Sequence, residues 1–371
     1  MRIAIFADSY KPYISGVSCS IDTLVRELKK LGHTVYIFAP SYPRHKEDNP
    51  DIFRFPSFPS GYPNFRVAIP FVRRFPKVDI IHSHSPFQAG LLASFLARKN
   101  NVPLIYSFHT LFTKYVHYAG FLPKKFAKMS IVAYLRSFCK RAELIIAPST
   151  LSKRVLRKWG INIRCEIIPS GVDIERLDKE KDFQTLKTKA CNFFKIPNGS
   201  KVLLTVSRIS KEKNISFIIE AFKKLNRDDL YLVVIGNGPL LKEMKNKKIK
   251  NIIWAGEFPP ETLFKLYYAG DIFVFASTTE TQGLVLAEAK AAGLPIIALF
   301  AGGLVDTIRS GIDGFLTSRN VSSFNEHIIR LLNDDKLREK MGKEGELDAR
   351  ERFSSSHVAK QVESIYNSLL R

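Results

Sequence analysis

Short apolar runs alternate with amphipathic stretches along most of the chain. The runs are rich in β-branched and aromatic residues, and most are followed by apolar residues at helical spacing. This alternation is typical of parallel β/α units, whose buried strands read as almost continuous apolar runs. The predicted strands are Arg2–Asp8, Thr34–Ala39, Val78–His82, Pro103–Phe108, Leu144–Ala147, Glu166–Pro169, Val202–Val206, Tyr231–Ile235, Ile252–Ala255, Ile272–Ala276 and Ile296–Leu299.

Helical periodicity predicts the connecting elements. In the first of them apolar side chains recur on one face and Gly32 supplies the stop. The predicted helices are Ile21–Leu31, Phe87–Lys99, Leu122–Phe138, Asn214–Leu225, Glu261–Tyr268 and Gly283–Ala292, with further helix through most of 322–371. A chain of 371 residues suits two domains of ordinary size. The polar, weakly periodic stretch 170–200 is the best boundary between them.

The stretch Asp271–Pro295 reads as a buried strand, a small polar loop and a helix. In open α/β sheets ligands bind at the carboxyl ends of strands, where helix amides face them. Glu280 lies in this loop and Glu288 lies within the apolar run of the helix. Two exposed acids are the simpler interpretation, since charged residues are mostly solvated. A buried Glu288 would instead need a partner.

A second charged group follows the strand Val202–Val206. Arg208 offers a planar fork of donors for phosphate and Lys213 offers a point charge. Alone they are interpreted as solvated loop cations. Together with the Glu280 loop they indicate a diphosphate site, in which carboxylates hold sugar hydroxyls and cations neutralise a leaving phosphate.

The first half offers weaker candidates. Gly16 either lets the backbone approach a ligand or only forms a turn. His109 stands at the end of a predicted strand and is either structural or catalytic. No Gly-x-Gly-x-x-Gly follows the first strand, so a dinucleotide fingerprint is absent.

The formal net charge of +22 favours an anionic partner: nucleotide phosphates, nucleic acid or an anionic membrane. The segment from Lys124 to Arg164 contains eleven basic residues and a single acidic one, Glu143. These basic residues form either a solvated helix face or a binding surface. The Phe-, Pro- and Arg-rich segment 41–77 is either a packed insertion or a membrane-facing surface. No apolar run approaches the roughly 18 residues of a membrane span. The four scattered cysteines predict neither disulfides nor zinc, which fits a reducing cytoplasm.

These motifs, taken in order, resemble the family-4 retaining glycosyltransferases. The Glu280-Thr-Gln-Gly-Leu-Val-Leu-Ala-Glu288 segment is similar to their Glu-x7-Glu motif, and Arg208 to Lys213 to their diphosphate clamp. Further matches are the Gly16 loop, Tyr106-Ser-Phe-His109-Thr, Pro148-Ser149, Ser170-Gly-Val-Asp173, Gly236-Asn-Gly238-Pro and Gly302-Gly303. The resemblance covers nearly the whole chain.

The resemblance implies the GT-B fold, α/β with two Rossmann-like domains facing across a deep cleft. The expected divisions are an N-terminal Rossmann-like domain (1–172, acceptor and membrane side), a C-terminal one (173–352, nucleotide-sugar donor) and a C-terminal helix (353–371) that crosses back to the first.

The resemblance also implies residue roles. Arg208 and Lys213 would neutralise the diphosphate, while Glu280 would bind the donor sugar and Glu288 the ribose. The other expected donor contacts are His109 beside the sugar, Gly16 near the phosphates, Phe258 near the base, and the backbone at Gln282, Gly283 and Leu284. Retention would need no protein nucleophile, because the leaving phosphate accepts the acceptor's proton. No Asp-x-Asp occurs, consistent with a site that needs no metal, and no cofactor is expected beyond the nucleotide sugar.

A narrower likeness is to the bacterial diacylglycerol glucosyltransferases. It rests on Ile14-Ser-Gly-Val17, His82-Ser-His84, Phe108-His-Thr110 and Tyr115-Val-His117-Tyr118. It implies UDP-glucose as donor, a lipid acceptor such as 1,2-diacylglycerol, and binding of the basic N-terminal domain to an anionic membrane. The expected location is cytoplasmic, peripheral to the inner face of the cell membrane. Another hexosyl- or mannosyltransferase with a different acceptor is the alternative.

Other classes fit less well. A nucleic-acid-binding protein would explain the charge, but no helix-turn-helix, zinc finger or aromatic RNA motif is evident, and no nucleic-acid partner is expected. A glycoside hydrolase using Glu280 and Glu288 would need them roughly 5–9.5 Å apart. Eight helical residues would separate them by about 12 Å. A dehydrogenase lacks its glycine fingerprint.

Overall fold

The structure, a computed structural model, describes residues 1–59, 66–114, 123–176 and 183–370. The chain divides into two compact units. The first unit comprises Met1–Gly171 and Ser355–Arg371, and the second comprises Val172–Ser354. The sequence-based divisions stand after residues 172 and 352. Among the described residues, none of the helices combines the length and the apolar character that a membrane span requires.

A parallel sheet forms the centre of the first unit. Its strands are β1 (Arg2–Phe6), β2 (Thr34–Pro40), β3 (Ile52–Phe55), β6 (Ile80–Ser83), β7 (Leu104–Ser107), β8 (Leu144–Ala147) and β9 (Cys165–Ile167). Their spatial order is β3-β2-β1-β6-β7-β8-β9. Alternate side chains of β1 enter opposite cores: Ala4 and Phe6 pack on one face, and Ile3 and Ile5 on the other.

Helices cover both faces of this sheet. They are α1 (Gly16–Lys30), α2 (Gln88–Asn100), α3 (Lys124–Cys139), α4 (Thr150–Lys158) and α13 (Ser355–Leu369). The C-terminal α13 buries Val358, Val362 and Tyr366 in the core that α1 shares. The predicted return of the C-terminal helix to the first domain is therefore confirmed.

The aromatic segment after β2 is in part a packed extension of the sheet. Phe53 on β3 stacks on Phe38 with ring centroids 4.7 Å apart. A short antiparallel hairpin follows, formed by β4 (Ser57–Pro59) and β5 (Arg66–Ala68). Phe58 and Phe71 remain 50% and 65% exposed, so the segment combines a packed part with an exposed apolar part. Residues 60–65 of it lie outside the described residues.

The second unit has its own parallel sheet. Its strands are β10 (Lys201–Val206), β11 (Leu230–Ile235), β12 (Ile252–Gly256), β13 (Ile272–Phe275), β14 (Ile296–Leu299) and β15 (Gly314–Thr317). They lie in the order β12-β11-β10-β13-β14-β15. The prediction of an α/β protein with two Rossmann-like domains is confirmed.

The helices of the second unit lie on both faces of its sheet. They are α5 (Phe183–Phe193), α6 (Ile215–Leu225), α7 (Leu241–Lys245), α8 (Pro260–Leu266), α9 (Leu284–Ala291), α10 (Leu304–Thr307), α11 (Val321–Asn333) and α12 (Asp335–Asp348). Helix α5 was missed, because the stretch 170–200 read as a polar boundary. Its Leu186 and Ala190 pack in the core of this unit, so apolar residues at only a few positions secure the helix.

Candidate nucleotide-sugar site

The predicted charged residues of the second unit lie where the strand order reverses. β10 and β13 are adjacent and parallel, and the sheet continues from them in opposite directions. Arg208 and Lys213 follow β10, and Glu280 follows β13. A crevice at the carboxyl ends of two such strands is the expected ligand site of a doubly wound sheet.

Lys213 and Glu280 meet at this point. The Lys213 ammonium group donates a hydrogen bond to Oε1 of Glu280 in an ion pair, with the side chains 20% and 15% exposed. Lys213 also lies over the Phe275 ring at 6.0 Å. The Thr278 amide bonds to the Glu212 carbonyl oxygen at 3.4 Å, so backbone contact also joins the two turns. A partly desolvated ion pair of this kind is available for exchange with a charged, hydroxylated ligand.

The turn at Gly302 packs against the Glu280 loop and hydrogen-bonds to it. The Gly303 amide donates to the Glu280 carbonyl oxygen at 2.9 Å. Gly302 has φ 61°, and a Cβ there would lie 2.6 Å from the same oxygen. Only glycine permits this approach without moving the loop. This explains the glycine at position 302 of the Gly302-Gly303 motif.

Gln282, Gly283 and Leu284 form the entry to α9. Gly283 is the N-cap at φ 84°, and Leu284 is the first helical residue. The side chain of Thr307 donates to the Gln282 carbonyl oxygen at 3.0 Å. The buried Lys290 ammonium donates to the Thr307 carbonyl oxygen at 2.8 Å and pairs with Asp313 at 2.9 Å. The loop is thereby tied to a buried ionic network that sequence analysis missed.

Glu288 has the partner that its apolar setting required. The Tyr267 hydroxyl donates to Oε2 of Glu288 at 2.6 Å, and Tyr267 itself is fully buried. Burial raises the pKa of the Glu288 carboxyl group above its ordinary value, and the tyrosine bond opposes part of that rise. The apolar run around Glu288 predicts that its carboxylate has a polar partner. It does not identify that partner as Tyr267, which lies five positions before the start of β13.

Phe258 and Arg208 occupy separate turns at the same end of the sheet. Phe258 follows β12 and packs edge-on against Phe193, with ring centroids 5.7 Å apart. The Arg208 turn lies beside the Gly236 turn: the Ser207 amide bonds to Ile235, and a Cβ on Gly236 would lie 1.9 Å from the Ser207 carbonyl oxygen. The structure therefore brings Lys213 and Glu280 into contact, and it places Phe258 just after β12, which is two strands away from β10 in the sheet.

In the first unit, Gly16 is the first residue of α1. The side chain of the N-cap residue Ser15 accepts from the Ser18 amide at 3.1 Å, and the Ser15 amide donates to Ser18 Oγ at 2.7 Å, which forms a capping box. Gly16 thus stands at a helix N-terminus at the strand-carboxyl end of the sheet. The Tyr115-Val-His117-Tyr118 motif lies outside the described residues.

His109 follows β7 and contacts a second histidine. Its Nε2 lies 2.8 Å from Nδ1 of His84. Burial lowers the pKa of His109 to about 4, so its ring is neutral near pH 7. His84 belongs to the His82-Ser-His84 motif, and no local pattern indicates its contact with His109.

Asp8, which sequence analysis missed, is buried between β1, β6 and α2. Its Oδ1 accepts from the Ala89 amide at 2.8 Å, and its own amide donates to Ser85 Oγ at 2.9 Å. Burial raises the pKa of this carboxyl group to about 6. Among the described residues no cluster of His, Cys, Asp and Glu side chains could hold a metal ion.

Comparison with known proteins agrees with this architecture. The family model described as "Glycosyltransferase Family 4" matches residues 14–176, and the one described as "Glycosyl transferases group 1" matches residues 187–348. The structure superposes on sucrose-phosphate synthase from Thermosynechococcus elongatus with a TM-score of 0.81 at 19% identity, covering 99% of this chain and 98% of that one. The Anabaena protein HepE, solved with UDP-glucose, gives 0.76 at 19% identity over both whole chains. These likenesses define the class: a glycosyltransferase of the GT-B fold.

Curated relatives extend the assignment. An alpha-monoglucosyldiacylglycerol synthase of Streptococcus pneumoniae is 35% identical over 80% of this chain and 71% of its own length. The enzyme of the same name from Acholeplasma laidlawii is 31% identical over 100% of this chain and 98% of its own. A GDP-mannose-dependent alpha-mannosyltransferase of Corynebacterium glutamicum is 31% identical over 85% and 76%. The chain belongs to glycosyltransferase family 4, so the predicted family and the predicted glycosyltransferase class are confirmed.

Proposed function

We propose that this protein transfers glucose from UDP-glucose to 1,2-diacylglycerol at a membrane surface. The observation that carries this choice is the similarity, at 35% and 31% identity, to two synthases of monoglucosyldiacylglycerol. The second of these matches along the whole chain and along 98% of its own length. The protein would act as a peripheral protein on the cytoplasmic face of the cell membrane.

The charged site suits the donor. The diphosphate of a nucleoside diphosphate sugar carries two negative charges. Arg208 and Lys213 carry two positive charges and lie where the strand order of the sheet reverses, between β10 and β13. Lys213 would exchange its contact with Glu280 for a phosphate oxygen, and Glu280 would then accept hydrogen bonds from sugar hydroxyls. Cations that are already in place lower the energy of the charge that develops on the leaving diphosphate.

We propose that transfer proceeds with retention and without a metal ion. Arg208 and Lys213 supply the charge neutralisation that a metal would otherwise give. The leaving phosphate would take the proton from the lipid hydroxyl as the new glycosidic bond forms on the same face of the sugar. Glu288, held by Tyr267, would bind the ribose, and Phe258 would lie near the base. The roles that the family resemblance implies for His109 and Gly16 of the first unit stay predictions.

The membrane contact would be made by the start of α3. Phe126 and Met129 are 59% and 58% exposed there, and the same turns carry the exposed Lys124, Lys125 and Lys128. Exposed apolar side chains beside cations favour the interface of an anionic bilayer. The exposed Phe71 of the aromatic segment adds a further apolar contact.

A mannosyltransferase is the second candidate, because a GDP-mannose-dependent relative is also 31% identical. The discriminating assay incubates the purified protein and diacylglycerol-containing phosphatidylglycerol vesicles with radiolabelled UDP-glucose or GDP-mannose, each with EDTA present. We expect labelled glucosyldiacylglycerol from UDP-glucose, with an α-linkage by NMR. Labelled product from GDP-mannose alone would establish the second candidate, and a β-linked product would overturn retention.

A further inference from the structure

A fully buried lysine lies on α9, the helix that follows the Glu280 loop. Lys290 is 0% exposed, and lysine is almost never buried to this extent unless it is paired. Its ammonium group donates to the carboxylates of Asp313, at 2.9 Å, and of Asp348, and to the Thr307 carbonyl oxygen at 2.8 Å. These contacts use all three N–H donors of the group. A buried polar network that is satisfied in this way is rigid.

The two aspartates are themselves bonded to arginines. Arg309 donates to Asp313 at 2.6 Å, and Arg352 donates to Asp348 at 2.7 Å. Burial lowers the pKa of Lys290 from its ordinary value, and the two carboxylates oppose that shift. An apolar cluster of the same volume is often as stable as a buried ion pair, so stability alone does not account for this network.

Thr307 connects the network to the loop. It is 0% exposed, its carbonyl oxygen accepts from Lys290, and its hydroxyl donates to the Gln282 carbonyl oxygen at 3.0 Å. At the other end of α10, the Gly303 amide donates to the Glu280 carbonyl oxygen at 2.9 Å. Helix α10 and the residue before it therefore hold the loop at two carbonyl groups that are two positions apart.

The start of α9 depends on these contacts. Its N-cap residue is Gly283, which has no side chain to cap the helix. Gln282 immediately precedes Gly283, and Lys290 lies in the last turn of the same helix. The bonds from Lys290 to Thr307 and from Thr307 to Gln282 therefore tie the last turn of α9 to the loop before its first turn. A displacement of the loop would break at least one of these two bonds.

We propose that Lys290 and Thr307 are positioning residues for the nucleotide sugar. Lys290 fixes the Thr307 carbonyl group, and the Thr307 hydroxyl fixes the Gln282 carbonyl group. Glu280 and the first amides of α9 thereby keep the position in which they meet the donor. This inference rests on the proposed function for its effect on transfer, whereas the position of the loop does not depend on which sugar is used.

Hydrogen–deuterium exchange of the intact protein, measured by mass spectrometry, tests the loop position without any substrate. Thr307→Val keeps the shape of the side chain and removes its hydroxyl, whereas Thr307→Ser keeps the hydroxyl. We expect Thr307→Val to speed exchange roughly fivefold in peptides covering 277–286 and 301–308, the equivalent of one lost hydrogen bond, and Thr307→Ser to stay near wild type. Equal exchange in these peptides for Thr307→Val and wild type would overturn the proposal.

Thr317→Val is the matched control. Thr317 is also buried, and its hydroxyl donates to a backbone carbonyl oxygen, that of Ala298 on the neighbouring strand, at 3.4 Å. The same substitution there should leave exchange in both peptides unchanged. Equally fast exchange in Thr317→Val and Thr307→Val would assign the effect to a general loss of stability and would contradict a positioning role.

A charge-balanced double variant tests Lys290. Lys290→Met combined with Asp348→Asn removes one charge of each sign, and Asp313 keeps its bond to Arg309, so no buried carboxylate is left without a cation. We expect this variant to speed exchange in the same two peptides as Thr307→Val does. Exchange as slow as in wild type would show that Lys290 does not fix Thr307.

Kinetics with UDP-glucose and diacylglycerol-containing vesicles test the consequence for transfer. We expect Thr307→Val to lower kcat/KM for the nucleotide sugar about tenfold with the KM for diacylglycerol unchanged, and Thr307→Ser to recover most of that loss. Thr317→Val should match wild type. Wild-type kinetics in Thr307→Val would refute the positioning role. A wild-type protein that does not use UDP-glucose would instead refute the proposed function, and the exchange measurement would still decide what holds the loop.

Discussion

The hydroxyl of Tyr267 donates a 2.6 Å hydrogen bond to Glu288 from a fully buried position 21 residues earlier in the chain. The bond gives the partly buried Glu288 carboxylate a polar partner within the otherwise apolar run of helix α9. Because burial raises the pKa of Glu288, the bond also helps to keep that group ionised and able to accept from a ligand hydroxyl.

Tyr267→Phe should therefore weaken donor binding more than chemistry. We expect the KM for the nucleotide sugar to rise about tenfold and the free energy of unfolding to fall by about 1–3 kcal/mol, the cost of an unsatisfied buried group. Steady-state kinetics and urea denaturation measure these changes. Tyr231→Phe, on β11 in the same unit, is the control. An unchanged KM in Tyr267→Phe would show that Glu288 does not contact the donor.

Removing either partner of the Lys213–Glu280 pair should abolish most transfer. Lys213→Ala and Glu280→Ala should each lower kcat/KM by roughly 10²–10³-fold, because charge stabilisation in the site is lost. The double variant should be little worse than either single one, since contacting residues are not additive. Lys211→Ala, an exposed lysine in the same turn, should keep wild-type activity. A Glu280→Ala enzyme with normal turnover would contradict the site.

Gly302→Ala should displace the Glu280 loop. The added methyl group would meet the Glu280 carbonyl oxygen at 2.6 Å, in addition to the strain of φ 61°. Gly199→Ala is the matched control, because Gly199 has φ 82° but open space where the added methyl group would lie. We expect both variants to lose about 1–3 kcal/mol of stability, but only Gly302→Ala to lose activity. Equal activity in the two would mean that the close approach has no role in the site.

The raised pKa of Asp8 should make the stability of the folded protein depend on pH. The folded chain holds a proton on Asp8 up to about pH 6, whereas the unfolded chain releases it near 3.8. The folded state binds more protons between these values, so its stability falls as the pH rises through them. Asp8→Asn removes this effect. The stability of Asp8→Asn relative to wild type should rise by roughly 2–3 kcal/mol between pH 4 and pH 7 in urea titrations. A constant difference would show that Asp8 has the same pKa in the folded and unfolded chains.

The lysines at the start of α3 should govern membrane binding. Changing Lys124, Lys125 and Lys128 to Glu should reduce partition onto phosphatidylglycerol vesicles, by about 1 kcal/mol for each lost cation. Lys242, Lys245 and Lys248, exposed in the second unit, give a control with the same change of net charge. Vesicle sedimentation at two salt concentrations measures both. Equal losses in the two triple variants would assign the effect to overall charge and not to α3.

Much of the fold could be predicted from the sequence, because buried parallel strands and amphipathic helices each leave a local pattern. The strand β13 and the helix α9 were predicted within a residue or two at each end. Helix α5 was not, since its few buried positions are diluted by polar residues. Helix α1 begins at Gly16 and not at Ile21, because the Ser15 capping box starts the helix ahead of its apolar face.

The candidate site divides in the same way. Local patterns along the chain were enough to predict the alternation of strands and helices, the polar turns at the strand ends, and the kinds of charge available there. Which side chains meet depends on how the chain packs, because Lys213 and Glu280 are 67 positions apart and His82 and Tyr366 are 284 apart. No local pattern encodes such pairs. They follow from the order in which parallel strands pack and from the need of each buried polar group to find a partner.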